Sequence, residues 1–93
     1  MERYPVEARR RQVMLRPRYR LADAPAAVLE RLRAGARAEG HRVWAERWRC
    51  RACGAVWPWR ELMAGEVEGA DVWLPLCPVE DCAGIGWLYL EAA

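Results

Sequence analysis

The chain has 93 residues, 13 of them acidic and 15 of them arginine, and its formal net charge is +2. This length predicts one small domain, and because no run of 18 apolar residues occurs, the sequence excludes a transmembrane helix. No apolar segment follows the charged N-terminus, so we expect no signal peptide, no membrane partner and a cytoplasmic location.

The charge is distributed unevenly along the sequence. Residues 1–51 carry 14 arginines and six acidic residues, a net charge of +8, whereas residues 52–93 carry one arginine and seven acidic residues, a net charge of −6. Such polarity is typical of a chain whose basic half meets a polyanion or an acidic partner.

Residues 1–22 form a basic segment that contains Pro5 and Pro17. Residues 6–15 could form a short helix that ends before Pro17, and a strand or an extended arm is the alternative. Its arginines are candidates for nucleic-acid contact, or else belong to a solvated arm or to one docked on the acidic half of the chain. They are Arg9, Arg10, Arg11, Arg16, Arg18 and Arg20.

Residues 23–40 carry the clearest helix signal. Asp23 or Ala24 is predicted to cap the helix, Pro25 suits its first turn, and Gly40 is predicted to end it in a left-handed conformation. An apolar stripe at helical spacing indicates a face that packs on the rest of the domain or on a second copy in a homodimer. Its members are Val28, Leu29, Leu32 and Ala36.

Residues 41–93 are predicted to form a three-stranded antiparallel sheet. Together with the preceding helix, this sheet predicts an α+β fold class. The strands are expected within residues 41–50, 72–77 and 86–91, with one helical turn in residues 58–65 and a turn region at residues 65–71. In the first strand, Trp44, Trp48 and Cys50 fall on one face, and Arg47 and Arg49 on the other.

The four cysteines form two pairs that are separated by 23 residues, Cys50-x2-Cys53 and Cys77-x4-Cys82. Paired cysteines in a chain without secretion signals favour one structural Zn²⁺ over two disulfides or iron. Gly54 supplies the positive φ that the first turn needs, and Gly84 is expected to do the same in the second. Because all four positions are cysteine, the site is closed to substrate, and we predict no enzymatic activity.

This pattern resembles a zinc ribbon over residues 43–91. The spacing is also similar to that of the Ogr/Delta family of phage late-transcription activators. The resemblance implies one zinc on Cys50, Cys53, Cys77 and Cys82, DNA binding, and contact with RNA polymerase.

Further arginines surround the first cysteine pair, at Arg42, Arg47, Arg49 and Arg51. They either offset the formal −2 charge of a four-thiolate zinc centre or form a phosphate-binding face. Among the tryptophans, Trp57 and Trp59 flank Pro58, and at least one is expected to be exposed as a platform for a base or for a protein partner. The remaining ones are expected in the core, and they include Trp44, Trp48, Trp73 and Trp87.

The sequence therefore predicts a zinc-ribbon protein that binds DNA or RNA, as a small transcription or phage regulator. The alternatives are a protein-only adaptor that docks an acidic partner through its basic half, and a rubredoxin-like electron carrier, which "CGAVW" at residues 53–57 resembles.

Overall fold

The fold was analysed in a computed structural model, which describes residues 15–80 and 82–93. These residues form one α-helix and two antiparallel sheets of three strands each, so the predicted α+β class is confirmed. In chain order the elements are β1 (Leu15–Arg20), α1 (Ala26–Ala38), β2 (Arg47–Cys50), β3 (Val56–Pro58), β4 (Met63–Val67), β5 (Trp73–Leu76) and β6 (Leu90–Ala92).

Helix α1 ends as its sequence predicts. Gly40 has a φ of 93° and donates its backbone N–H to the Arg37 carbonyl at 3.0 Å. The His41 N–H then reaches the Ala36 carbonyl at 2.9 Å, which completes a Schellman motif. At the other end, Pro25 is the N-cap residue itself and not part of the first turn.

The first sheet has the order β1-β4-β5, and it corrects two expectations. Residues 63–67 form its central strand, although the glycine in "GEVEG" indicated a turn. Gly65 is buried there because a Cβ atom would lie 2.9 Å from Leu76 Cδ1, so this glycine gives room to a neighbouring strand. The predicted helix over residues 6–15 is not observed at its last residue, because residue 15 belongs to β1 and pairs with Val67. Residues 6–14 lie outside the described residues.

The second sheet has the order β3-β2-β6. Its central strand, β2, begins only at Arg47. Residues 41–46, which were expected to belong to this strand, contain no strand. The predicted alternation within it is observed, with Trp48 and Cys50 fully buried and Arg47 and Arg49 exposed. The last predicted strand is a 3-10 turn at Trp87–Tyr89 followed by β6.

The chain passes between the two sheets three times, the first time through α1, which lies between β1 and β2. A 3-10 turn at Trp59–Glu61 leads from β3 to β4, in the region where one helical turn was predicted. Residues 84–86 run antiparallel to the end of β5, through the Leu76↔Ile85 bridge and a 2.8 Å bond from Gly86 N–H to the Pro75 carbonyl, and then continue to β6. A single α+β unit with two joined sheets therefore replaces the expected single sheet.

The core lies where helix and sheets meet. On α1, Val28, Leu32 and Ala36 are buried within this chain, and Leu29 is half-buried, so the apolar stripe needs no second copy to cover it. A cluster of aromatic rings occupies the centre, and successive ring centroids lie 5.0–6.1 Å apart. Its members are His41, Trp44, Trp48, Trp59 and Trp87.

Trp57 and Trp59 are both half-buried and packed against the core, so the prediction that one of them is exposed is wrong.

Among residues 15–80 and 82–93, no helix has the length and the apolar character that crossing a membrane requires.

Candidate metal centre

The first cysteine pair lies on the turn between β2 and β3. Cys50 ends β2, its N–H donates to the Ala55 carbonyl at 2.8 Å, and its carbonyl accepts the Gly54 N–H at 2.7 Å. Gly54 has a φ of 80°, the left-handed conformation that the sequence predicted. These bonds hold Cys50 and Cys53 on one tight turn.

The second cysteine pair follows β5. The Cys77 N–H donates to the Gly84 carbonyl at 2.9 Å, and the Cys82 N–H to the Val79 carbonyl at 3.2 Å. Gly84 is not among the glycines with positive φ, which corrects its expected role. It is required for space, because a Cβ atom there would lie 2.5 Å from Cys50 Sγ and 3.1 Å from Cys77 Cβ.

The two turns bring all four sulfur atoms together, as the spacing predicts. Every Sγ lies within 4.8 Å of the others; Cys50 and Cys82 are 3.6 Å apart, and Cys53 and Cys77 are 3.7 Å apart. A tetrahedral site with metal–sulfur distances of about 2.3 Å would place its sulfurs roughly 3.8 Å from one another. The four cysteines therefore fit one metal ion.

Burial makes the charge of these thiols costly in the absence of a cation. Cys50, Cys77 and Cys82 are buried, and only Cys53 is exposed. Burial raises the pKa of the Cys77 and Cys82 thiols, whereas a hydrogen bond from the Ala55 backbone N–H lowers the pKa of Cys53. A bound cation would offset the charge of four thiolates, and Gly84 N–H, 3.4 Å from Cys82 Sγ, supports one of the sulfurs.

The arginines predicted to contact nucleic acid have different environments. Arg49 pairs with Glu91 at 3.4 Å, and Arg51 donates to the Leu88 carbonyl at 3.3 Å. The side chains of Arg42 and Arg47 are exposed and, within the described residues, have no ion-pair or hydrogen-bond partner. Arg18 belongs to β1, and the cluster formed by Arg9, Arg10 and Arg11 lies outside the described residues.

Ion pairs join the basic half of the sequence to its acidic half. Arg16 contacts Glu68 at 2.7 Å, and Arg20 contacts Glu61 at 3.7 Å as well as its neighbour Asp23 at 3.5 Å. A further pair joins Arg31 on α1 to Asp71. Within the described residues, opposite charges from the two halves of the sequence therefore meet at the surface.

A second feature, which we call the tryptophan–arginine stack, consists of Arg33, Trp44, Trp59 and Arg60. The guanidinium of Arg33 lies 5.4 Å from the ring centroid of Trp44, and that of Arg60 lies 5.4 Å from Trp59. The two indoles meet edge to face at 5.8 Å. The sequence did not identify Arg33, Trp44 and Arg60 as site residues, because the contacts of Trp44 with Arg33 and with Trp59 form only on folding.

The comparisons with known proteins add no relative. No family model matches the chain, and no significant match is found among curated proteins or among solved structures. The similarity to zinc ribbons and to the Ogr/Delta family consequently rests on the cysteine pattern alone.

Proposed function

We propose that this chain is a zinc-ribbon protein that binds single-stranded nucleic acid and catalyses no reaction. Two cysteine turns, each closing an antiparallel pair of segments, support the ribbon. Four thiolate donors favour Zn²⁺ and leave no coordination position for a substrate or a reactive water, which supports a structural centre. Zinc would orient the two turns, and the chain's own side chains would make the contacts with the ligand.

The tryptophan–arginine stack is the observation that carries the nucleic-acid proposal. Trp44 and Trp59 are half-buried and lie beside the exposed guanidinium groups of Arg33 and Arg60, and this combination of indole rings and positive charge suits the bases and phosphates of a single strand. Arg37 lies one helical turn beyond Arg33, and Arg47 pairs in register with Pro58, next to Trp59. Both arginines are exposed and, in the described part of the chain, without an acidic partner.

The biological role that fits this proposal is a small regulator of transcription in the reducing cytoplasm. The cysteine spacing shared with the Ogr/Delta family supports DNA as the nucleic acid and RNA polymerase as a protein partner. Arg9, Arg10 and Arg11, which precede β1 in the sequence, would add contacts to phosphates, and such contacts carry no sequence information.

Salt-dependent binding to labelled oligonucleotides tests the proposal. We expect fluorescence anisotropy to show binding to mixed-sequence single strands, with log affinity falling linearly with log salt at about −0.7 per phosphate engaged. Replacing Arg37, Arg42 and Arg47 together with alanine should flatten that slope by about two units. Trp59→Ala should cost about 1–3 kcal/mol on single strands.

A matched control uses arginines that are already paired within the fold. Replacing Arg16, Arg20 and Arg49 together with alanine removes the same three charges, but each of these arginines is held by a carboxylate, so the slope should change less. An absence of binding to single strands and duplexes at about 50 mM salt would contradict the proposal.

A protein-only adaptor is the second candidate, and the ion pairs between the two halves favour it. They lower the net positive potential that nucleic acid would meet at Arg16, Arg20, Arg31 and Arg49. The adaptor predicts no binding to oligonucleotides in the same titration, together with loss of a protein partner when Arg9, Arg10 and Arg11 are replaced.

A further inference from the structure

A groove of about 640 Å³ lies on the flank of α1 that faces away from Arg33 and Arg37. Its helical side is made of the small residues Ala34, Gly35 and Ala38. The opposite side is formed by residues 71–74, which include the start of β5, and by residues 85–89, which follow the second cysteine turn. The volume is within the range of pockets that bind organic ligands or side chains.

The small helical residues explain why the groove is open. Gly35 lies against the indole of Trp87, where an added Cβ would be 3.4 Å from Nε1, so the helix approaches the 85–89 segment closely at this point. On either side of that contact, Ala34 and Ala38 leave the space between helix and strand unfilled. A larger side chain at position 38 would therefore project into the groove.

The rim of the groove is apolar and accessible to solvent. Val72 is 46% exposed and Leu88 is 68% exposed, and both line the groove. Trp73 and Ile85 continue the apolar surface inward. An exposed apolar rim beside a buried apolar floor favours a ligand that presents apolar side chains.

The charges at the ends of the groove indicate which partner fits. Arg31 and Asp71 neutralise each other at one end. Glu39, at the other end, is exposed and has no ion-pair partner within the described residues. Positions 31 and 39 are separated by about 12 Å along the helix axis. The groove thus matches a short segment with apolar side chains and a basic residue at one end.

We propose that this groove binds a segment of a protein partner that presents two or three apolar side chains next to an arginine or lysine. The apolar side chains occupy the space above Ala34 and Ala38, and the basic side chain pairs with Glu39. This inference does not rest on nucleic-acid binding, because the tryptophan–arginine stack lies on the other flank of α1.

A phage-displayed library of random 12-residue peptides, selected on the zinc-loaded full chain, provides the probe. We expect enriched peptides to combine apolar residues with an adjacent basic residue. Measured by anisotropy with a synthesised peptide, Ala38→Arg should weaken binding at least about tenfold, and Glu39→Ala about threefold. Both sites are exposed on the helix surface, so zinc content and circular dichroism should be unchanged.

Two further variants test whether the peptide binds in the groove. Arg33→Ala, on the other flank of the helix, should leave peptide affinity unchanged, while Leu88→Glu provides a second groove variant that weakens it. The proposal is overturned if Ala38→Arg and Leu88→Glu bind the selected peptides as the parent chain does, or if no peptide is enriched. It is also overturned if sedimentation shows a dimer that Ala38→Arg dissociates, or if an oligonucleotide displaces the peptide.

Discussion

At the scale of single residues, the positions that decide the metal centre include one that carries no ligand atom. Gly84 lies among three of the four cysteines, and its missing side chain leaves room for Cys50 Sγ. Its N–H also approaches Cys82 Sγ at 3.4 Å. Residues that orient ligands in this way contribute to metal affinity although they do not touch the metal.

Gly84→Ala should therefore lower zinc affinity by about 10–100-fold, because Cβ and Cys50 Sγ cannot both keep their positions. Competition with a chromophoric chelator measures the change. Gly69→Ala is the matched control: Gly69 has a φ of 78° but nothing within 4 Å of its added Cβ. This control should cost about 1–2 kcal/mol of stability and leave zinc affinity unchanged. Equal zinc affinities for the two variants would contradict the steric role of Gly84.

At the scale of elements, α1 depends on its buried stripe. A helix of 13 residues is marginally stable in isolation, so its stability comes from packing. Leu32 has no exposed surface and lies in the same cluster as Trp48 and Trp87. The helix therefore forms part of the core that also contains Cys50, Cys77 and Cys82.

Leu32→Asp should destabilise the fold by about 3–5 kcal/mol, because it places an unpaired carboxylate in the core and removes the leucine's packing. Thermal unfolding of the zinc-loaded chain measures this loss. Ala27→Asp serves as the control, since residue 27 is exposed in the first turn, where a negative charge favours the helix dipole. A similar fall in melting temperature for both variants would show that the stripe is not the cause.

At the scale of the whole molecule, the metal centre joins the two sheets. Cys50 belongs to β2 of one sheet, and Cys77 directly follows β5 of the other. All four sulfur atoms lie within 4.8 Å of one another, so an ion bound by them would hold the end of β2 against the end of β5.

Removal of zinc with excess chelator at neutral pH should unfold both sheets, because zinc binding supplies about 10–16 kcal/mol in comparable small domains. Tryptophan emission should shift to longer wavelength as Trp48 and Trp87 become hydrated, and added zinc should restore it. Acid should have the same effect, because protons compete with zinc for the thiolates of Cys77 and Cys82, and burial raises the pKa of both thiols. The stability that zinc supplies is therefore present at neutral pH and is lost as the pH falls. Metal-free protein that is folded with four free thiols would contradict this prediction.

The features that sequence analysis predicted correctly depend on signals between near neighbours. The cap at Gly40 and the alternation of Trp48 and Cys50 each require only a few consecutive residues. Gly54 beside Cys53 is read in the same way, from the geometry of one turn. The two cysteine pairs carry their chemistry in spacing alone, so their convergence on one site was also predictable.

The predictions that were wrong concern glycine and tryptophan, residue types that can serve two different structural roles. Gly65 and Gly84 were assigned to turns because glycine tolerates positive φ, but both are needed because another side chain approaches closely. At least one of Trp57 and Trp59 was expected at the surface because they flank a proline, but both are half-buried, and the ring of Trp59 packs against Trp44, 15 positions away in sequence. Local patterns cannot distinguish these uses, because the neighbour that decides between them is distant in sequence.

The sequence by itself therefore determined the four-cysteine site, the single α-helix among the described residues and the overall α+β class. Only the tertiary structure decided how the charges are arranged and where a partner can bind. Arg16 meets Glu68 and Arg31 meets Asp71 across 52 and 40 positions of sequence, so among the described residues opposite charges from the two halves lie side by side. The groove beside α1 likewise exists only where the helix meets residues 71–74 and 85–89, because a cavity is a property of packed elements and not of any one segment.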